Sequence, residues 1–292
     1  MQPPRIRRSV LYVPASRPRA VERARLLPVD VVIFDLEDAV RPEEKEAARA
    51  TACAAILAGG FMARELVVRI NAAETEWAAD DFAAVARAAP DAVLMPKISS
   101  AEDVLLAGKA LSSAGAPAKV GLWAMVETPR AVADVLRIAE AARSEPRLSC
   151  LVAGLNDLAK DTRAAMTPGR APMLSWLAAI VLAARVSDID AIDGVYNAFR
   201  DVDGFSAECR QAREFGFDGK SLIHPDQVDV ANAAFSPSAE ELARAVAIIN
   251  AFELPANRRS GAIVVDGQMV ELLHLAMAHR IVALDSASTA AR

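Results

Sequence analysis

The segment VVIFDLEDAV, residues 31–40, opens with four apolar residues and then delivers Asp35, Glu37 and Asp38 almost together. A short, continuous apolar run reads as a strand buried on both faces, the pattern of a parallel sheet covered by helices. The three acids at its end pose a problem, because burying like charge without partners costs several kcal/mol, at least to order of magnitude. Either the carboxylates fan out into solvent, or something positive stands at the end of the strand.

The same strand type recurs along the chain. Candidates are 9–15, 31–38, 65–71, 92–98, 119–127, 148–157, 191–199 and 219–225, separated by helical patterns such as RPEEKEAARATACAAILA and PRAVADVLRIAEAAR. Eight strands alternating with helices predict a (β/α)8 TIM barrel over 1–235. A doubly wound open sheet would want a glycine-rich dinucleotide turn after its first strand, and VPASRPR is not one. Residues 236–292 exceed what a barrel needs. Ser238 and Glu241 form a capping box for a helix to about Phe252. A turn or short strand and a final amphipathic helix follow, giving a C-terminal extension that is either a cap or an arm packing on a neighbouring subunit.

With 53% hydrophobic and 24% charged residues, the chain is a folded globular protein rather than a disordered one. A net charge of −5 argues against nucleic acid as a partner, and arginines such as those of SRPRAVERAR read as a solvated helix face. Three cysteines, Cys53, Cys150 and Cys209, lie far apart, with no metal spacing and no disulfide framework. No secretory leader is visible, and the longest apolar run, LAAIVLAA, is much shorter than the roughly 18 residues of a membrane span. A cytoplasmic protein without a membrane partner is expected.

In a barrel, polar residues at the C-terminal strand ends converge on one mouth. They are Asp35, Glu37 and Asp38; Arg69 and Asn71; Lys97; Glu127; Asn156 and Asp157; Asn197; and His224. Several carboxylates around one mouth, without paired His or Cys, suit a Mg²⁺ ion that keeps waters and open positions for substrate oxygens. Glu127 and Asp157 are the best direct ligands, with the acids after the second strand as an outer shell holding metal-bound waters. Other readings stand beside these: Asp38 as the cap of the helix near Pro42, Arg69 as a structural partner for the acids, and His224 as a donor that orders its loop. Lys97 and Asn197 read as ordinary rim residues.

Assembled in order, nine stretches resemble the citrate lyase beta-subunit-like group of the HpcH/HpaI aldolase superfamily: RRSVLYVPASRP, DVVIFDLEDAVRPEEKEAAR, VVRINA, LMPKI, AMVETPRAV, GLNDLAKD, DGVYNAFRDVDGF, GFDGKSLIHPDQV and VVDGQMVELLH. The resemblance implies a Mg²⁺-dependent barrel enzyme acting on coenzyme A thioesters such as malyl-, citramalyl- or citryl-CoA. It implies Glu127 and Asp157 as metal ligands, Arg69 on the acid substrate and the thioester carbonyl, and Glu37 and Asp38 as the pair ordering the metal's waters. Three stretches depart from the commoner pattern. VPAS stands where a glycine is frequent, GLND replaces Gly-Ala-Glu-Asp while keeping Asp157, and Glu271 stands where relatives carry an aspartate acting from a neighbouring subunit.

The expected chemistry is carbon-carbon cleavage, or the reverse condensation, of a carboxylate-bearing 3-hydroxyacyl-CoA to acetyl-CoA and a 2-oxo acid. Arg69, Glu127 and Asn156 are expected at the substrate, and Arg69, Glu37, Asp38 and Glu271 in catalysis. Glu271 would act in trans within a homotrimer or hexamer, the alternative being a solvated helix start where an acid favours the dipole. The rival reactions are hydrolysis of (3S)-malyl-CoA on the same scaffold and service as the beta subunit of a citrate lyase complex on an acyl-carrier-protein thioester.

Overall fold

The computed structural model describes residues 5–63 and 65–289. Eight parallel strands close into a barrel: β1 (Ser9–Pro14), β2 (Val31–Asp35), β3 (Glu65–Arg69), β4 (Ala92–Met95), β5 (Gly121–Val126), β6 (Leu148–Ala153), β7 (Asp190–Asp193) and β8 (Gly219–Leu222). The expected eight-stranded barrel is therefore present, and β8 closes it by pairing with β1 through Val10 and Ser221. Helices follow the strands and cover the outside, as near-continuous apolar strands require.

The interior is built by alternation. Val31 and Ile33 of β2, Val67 of β3, Ala92 and Leu94 of β4, Trp123 and Met125 of β5 and Val152 of β6 form one buried cluster. Below it, at the N-terminal end of the strands, Arg7 donates from Nε and Nη2 to the two carboxylate oxygens of Glu65, both at 2.8 Å. Its Nη1 reaches Asp190 at 2.7 Å, and the guanidinium carbon lies 4.6 Å from the centre of the Trp123 ring. The apolar layers thus rest on a buried ionic plate.

The strands all end short of their expected bounds, β6 and β7 by the most. β6 stops at Ala153, and Asn156 and Asp157 stand in the first turn of the helix Leu155–Thr162. β7 stops at Asp193, and residues 194–201 form a loop in which the Tyr196 hydroxyl donates to Asp201 at 2.6 Å. Both segments are rich in apolar residues, but turn geometry overrides strand propensity.

The segment 168–186 is apolar and long enough by count to cross a membrane. Gly169 and Arg170 break it with positive φ, leaving a regular helix of 13 residues, Leu174–Val186. Thirteen residues span about 20 Å, less than a hydrocarbon core of about 30 Å. Arg170 is buried against Asp193 at 2.7 Å, and the helix packs on β6 and β7, so it is a barrel helix.

Among the described residues, 7–234 form one compact unit, and 235–289 with Arg5 and Ile6 form another. In the second, the helix Ala239–Glu253 begins with the expected capping box of Ser238 and Glu241. A hairpin of β9 (Ala262–Val265) and β10 (Gln268–Glu271) turns at Asp266 and Gly267, both at positive φ as a two-residue hairpin turn demands. The last helix, Leu272–Thr289, is not amphipathic. Leu275, Ala278, Ile281 and Val282 join the small core with Ile248 and Phe252, while Leu272, Leu273 and Met277 are each more than half exposed. The apolar residues run around the helix rather than along one stripe.

The ionic plate yields a test. Truncating Arg7 removes the two-pronged partner of buried Glu65 and the direct bond to half-buried Asp190, a loss of about 3–5 kcal/mol. Arg7→Ala should lower the urea midpoint by that amount of stability, whereas a surface change such as Arg137→Ala should leave it within error.

Candidate active site

The alternation that packs the barrel also aims its last inward residues. After Val31 and Ile33 comes Asp35, after Val67 comes Arg69, and after Trp123 and Met125 comes Glu127, each one step beyond the apolar layers. Asp35 and Arg69 are register partners across β2 and β3. Arg69 donates from Nε to Asp35 Oδ1 at 2.7 Å and from Nη2 to Oδ2 at 2.6 Å, and Nη1 lies 2.8 Å from Glu37 Oε2 and 3.6 Å from Asp38 Oδ2. The positive group at the end of β2 is therefore Arg69 itself. Its guanidinium carbon sits 5.1 Å from the centre of the Tyr12 ring.

The loop carrying the acids is tied down from below. Asp35 accepts from the backbone N–H of Glu37 at 2.9 Å and of Ala39 at 3.2 Å. Lys45 donates to the carbonyls of Leu36 and Glu37, both at 2.8 Å. Asp38 points outward, its side chain 60% exposed, and the cap of the following 3₁₀ turn is Arg41 without a side-chain bond. The capping role considered for Asp38 is excluded. Burial pushes the Glu37 carboxyl up to about 7 against the pull of Arg69, with Asp38, Glu127 and Asp35 adding to the rise.

On the facing side stand Glu127 and Asp157. Glu127 is fully buried; Oε1 accepts the backbone N–H of Lys97 at 2.7 Å, and Oε2 has no partner in the protein. Burial raises its pKa, opposed by Lys97 and reinforced by Asp157. Gly154 makes this seat possible, since a Cβ there would stand 2.3 Å from Glu127 Cβ and 2.9 Å from Oε2. Between the two acids lies the Lys97 ammonium, 2.6 Å from Asp157 Oδ1 and 3.4 Å from Glu127 Oε1. Burial opposes the charge on Lys97, but the bond to Asp157 and the nearby Glu127 hold its pKa above the usual value. Lys97 was expected at the rim and instead bridges the two acids. Its motif, LMPKI, gave its position but not its partners.

Tyr12, Asp35, Arg69, Met125 and Asp157 line a cavity of about 380 Å³, within the range of small-molecule sites. Asn156 and Asn197, which border it, bond to each other reciprocally at 2.8 and 3.4 Å. Asn197 is thus more than a rim residue, and Asn156 spends its amide on it. Ser221, which no sequence argument singled out, also borders the cavity with a buried, unbonded hydroxyl. His224 orders its loop as expected, but as an acceptor: Nδ1 receives the Asp226 N–H at 3.2 Å, and the ring stacks on Phe199. Glu271, in the other compact unit, ends β10 and donates its backbone N–H to His274 Nδ1 at 3.0 Å.

Among the described residues no group of three or more His, Cys, Asp or Glu side chains is gathered for a metal. Two carboxylates suffice for Mg²⁺, which otherwise keeps waters and substrate oxygens. The unbonded Glu127 Oε2, and an ammonium standing where a cation would lie, fit that ion.

The chain is similar to known proteins along most of its length. A family model described as HpcH/HpaI aldolase/citrate lyase matches residues 8–225. A (3S)-malyl-CoA thioesterase of Cereibacter sphaeroides (strain KD131 / KCTC 12085) is 44% identical over 285 residues, covering 98% of this chain and 96% of that protein. Citrate lyase subunit beta of Escherichia coli (strain K12) is 33% identical over 91% of this chain and 89% of its own. Among solved structures, protein CitE from Mycobacterium tuberculosis, in complex with magnesium, acetoacetate and coenzyme A, superposes with a TM-score of 0.76. It is 31% identical, covering 95% of this chain and 97% of that one.

The raised Glu37 carboxyl has a consequence for stability. In metal-free protein the folded state keeps this proton up to about pH 7, while an unfolded glutamate releases it near 4.5. Between those values the folded state binds more protons, so stability falls as pH rises. The melting temperature in EDTA should drop from about pH 5 to about pH 8, and Glu37→Gln should flatten that decline, with Glu127 supplying the remainder.

Proposed function

The chain belongs to the HpcH/HpaI aldolase/citrate lyase family, and we propose that it is a magnesium-dependent enzyme acting on a carboxylate-bearing 3-hydroxyacyl-CoA. The observation that carries this reading is buried Glu127, whose Oε2 has no partner and whose Oε1 stands across the Lys97 ammonium from Asp157 at the barrel mouth. Glu127 and Asp157 would hold Mg²⁺, which supplies Lewis-acid charge to the carboxylate and hydroxyl oxygens of the substrate.

Arg69 stabilises the negative charge that develops on the thioester oxygen. Asp35 grips it with two bonds and fixes its orientation before substrate arrives, which is how a donor contributes most to a transition state. Glu37 and Asp38 order water on that wall, and a carboxyl titrating near 7 exchanges protons readily at neutral pH. Asn156 and Asn197 meet the polar end of the acyl group by exchanging their mutual bonds for bonds to it.

Hydrolysis of (3S)-malyl-CoA ranks first, because the relative bearing that name matches 98% of this chain at 44% identity. This reverses the order expected from sequence alone. A water oxygen bonds to the thioester carbonyl carbon, the C–S bond breaks, and the departing sulfur takes the proton to give free CoA and malate. Cleavage ranks second, supported by the citrate lyase relative. In that reaction the bond between the hydroxyl-bearing carbon and its neighbour breaks, the hydroxyl proton leaves, and the electron pair moves onto the thioester as an enolate. A proton from Glu271 then completes acetyl-CoA. The beta-subunit role on an acyl-carrier-protein thioester has only that relative's name behind it. Free cysteines, two of them buried, suit a reducing cytoplasm.

The C-terminal unit is an assembly arm in this reading. Val264, Met269, Leu272, Leu273 and Met277 are exposed apolar residues on one small hairpin and helix, more than a monomer leaves bare. A neighbouring copy covers them in a trimer or hexamer, and Glu271 reaches that copy's mouth.

Two measurements test the proposal. Mass spectrometry of products from malyl-CoA should show malate and CoA under hydrolysis, or acetyl-CoA and glyoxylate under cleavage, with EDTA abolishing either; activity that survives EDTA would refute the metal. For the arm, light scattering should give an oligomer. Mixing inactive Glu271→Ala and Asp157→Asn chains should restore part of the activity, and a fully active Glu271→Ala enzyme would end that assignment.

A further inference from the structure

We propose that Lys97 is a resident counter-cation: its ammonium occupies the place between Glu127 and Asp157 while no metal is bound, and a divalent ion must expel it to bind. The inference rests on the reading of those two acids as ligands, and concerns a residue which that reading leaves without a role.

Lys97 is anchored from both ends. Its backbone N–H donates to Glu127 Oε1 at 2.7 Å, and its ammonium returns to Asp157 Oδ1 at 2.6 Å, within 3.4 Å of the same Glu127 oxygen. The backbone there is left-handed, φ +56°, a conformation that a non-glycine residue seldom adopts without a reason. That twist lets one residue serve one acid with its main chain and the other with its side chain. The two acids are thereby kept close, each with a positive partner, although like charges in a buried site repel.

An ammonium and a divalent cation cannot share this spot. A divalent ion held by Glu127 and Asp157 would lie beside the ammonium, which is 2.6 Å from Asp157 Oδ1 and 3.4 Å from Glu127 Oε1, and their mutual repulsion in a half-buried site far exceeds what it would be in water. The lysine has somewhere to go. It also borders a second cavity of about 380 Å³, between the helices Ala78–Ala88 and Ala101–Ser113, where Glu74 supplies a carboxylate. The side chain is one-third exposed and flexible enough to turn there, while its backbone bond to Glu127 stays in place. Lys97 therefore sets the metal affinity. A site occupied by its own cation most of the time binds an external one more weakly by the fraction of time it stands free.

The test is calorimetric titration of substrate-free protein with Mg²⁺. Lys97→Met, which keeps length and bulk, should bind about tenfold more tightly or better, whereas Lys97→Arg, which keeps the charge, should not gain. Without metal, Lys97→Met should melt below the parent, and saturating Mg²⁺ should narrow that gap. A second measurement uses the unaltered protein: reductive methylation of Lys97, followed by peptide mass spectrometry, should speed up when Mg²⁺ is added, because the expelled ammonium becomes accessible. Unchanged or weaker Mg²⁺ binding by folded Lys97→Met, or methylation that Mg²⁺ leaves alone or slows, overturns the proposal. A parent protein that takes up no Mg²⁺, or an Asp157→Asn variant that takes it up equally, refutes the ligand assignment itself and the proposal with it.

Discussion

The fork of Arg69 on Asp35 is the interaction on which the rest of this mouth depends. Two residues 34 positions apart become register partners when β2 and β3 pair, and each is the first polar residue above the apolar layers. Breaking the pair from either side would leave a charge sealed in the barrel top, a far larger penalty than losing a surface bridge. Because the fork fixes Arg69, the third nitrogen is held toward Glu37 and the cavity, and the aromatic face of Tyr12 bounds it on another side. The bonds that aim Arg69 into the cavity are the same ones that keep its charge and that of Asp35 paired.

The barrel is in effect an apolar column between two charged plates. Arg7 with Glu65 and Asp190 closes the lower end, and Asp35 with Arg69 and Glu37 closes the upper. The plates differ in one respect that separates architecture from chemistry. Below, the arginine makes bidentate contact with one acid and a direct bond to the second, and the plate borders none of the three cavities at the strand tops and loops. Above, charge is in surplus: five acids stand near one arginine and two lysines, and Glu127 Oε2 has no protein partner. A surplus of ligand atoms at the C-terminal ends of strands is where a barrel does its work.

Much of this was legible in the sequence because it depends on local pattern. Alternation located all eight strands, and the offset of Ser238 and Glu241 located a helix start. The positions of Asp35, Arg69 and Glu127 at or just past strand ends follow from the same periodicity, whereas Asp157 stands in the first turn of the helix after β6. What stayed hidden depends on partners distant in the chain. That Arg69 neutralises Asp35 is a fact of register, and that Lys97 reaches both acids depends on a left-handed backbone that no pattern announces. The mutual bonding of Asn156 and Asn197 joins loops 41 residues apart. The final helix is expected to be amphipathic because helices on compact cores are; its apolar residues instead fall both on the small core and on the exposed side.

Closure gives the barrel strands no free edges, since each is hydrogen-bonded on both sides. Among the described residues, the bare edges belong to the hairpin of β9 and β10, which pairs only with itself and carries exposed Val264 and Met269. An uncovered apolar edge is a template for any other extended chain. Among the described residues, this hairpin is therefore the place where a stray segment could add itself as a third strand. Such an addition needs no opening of the barrel. Loss of protein on storage would then begin as edge-to-edge association of folded subunits rather than as unfolding.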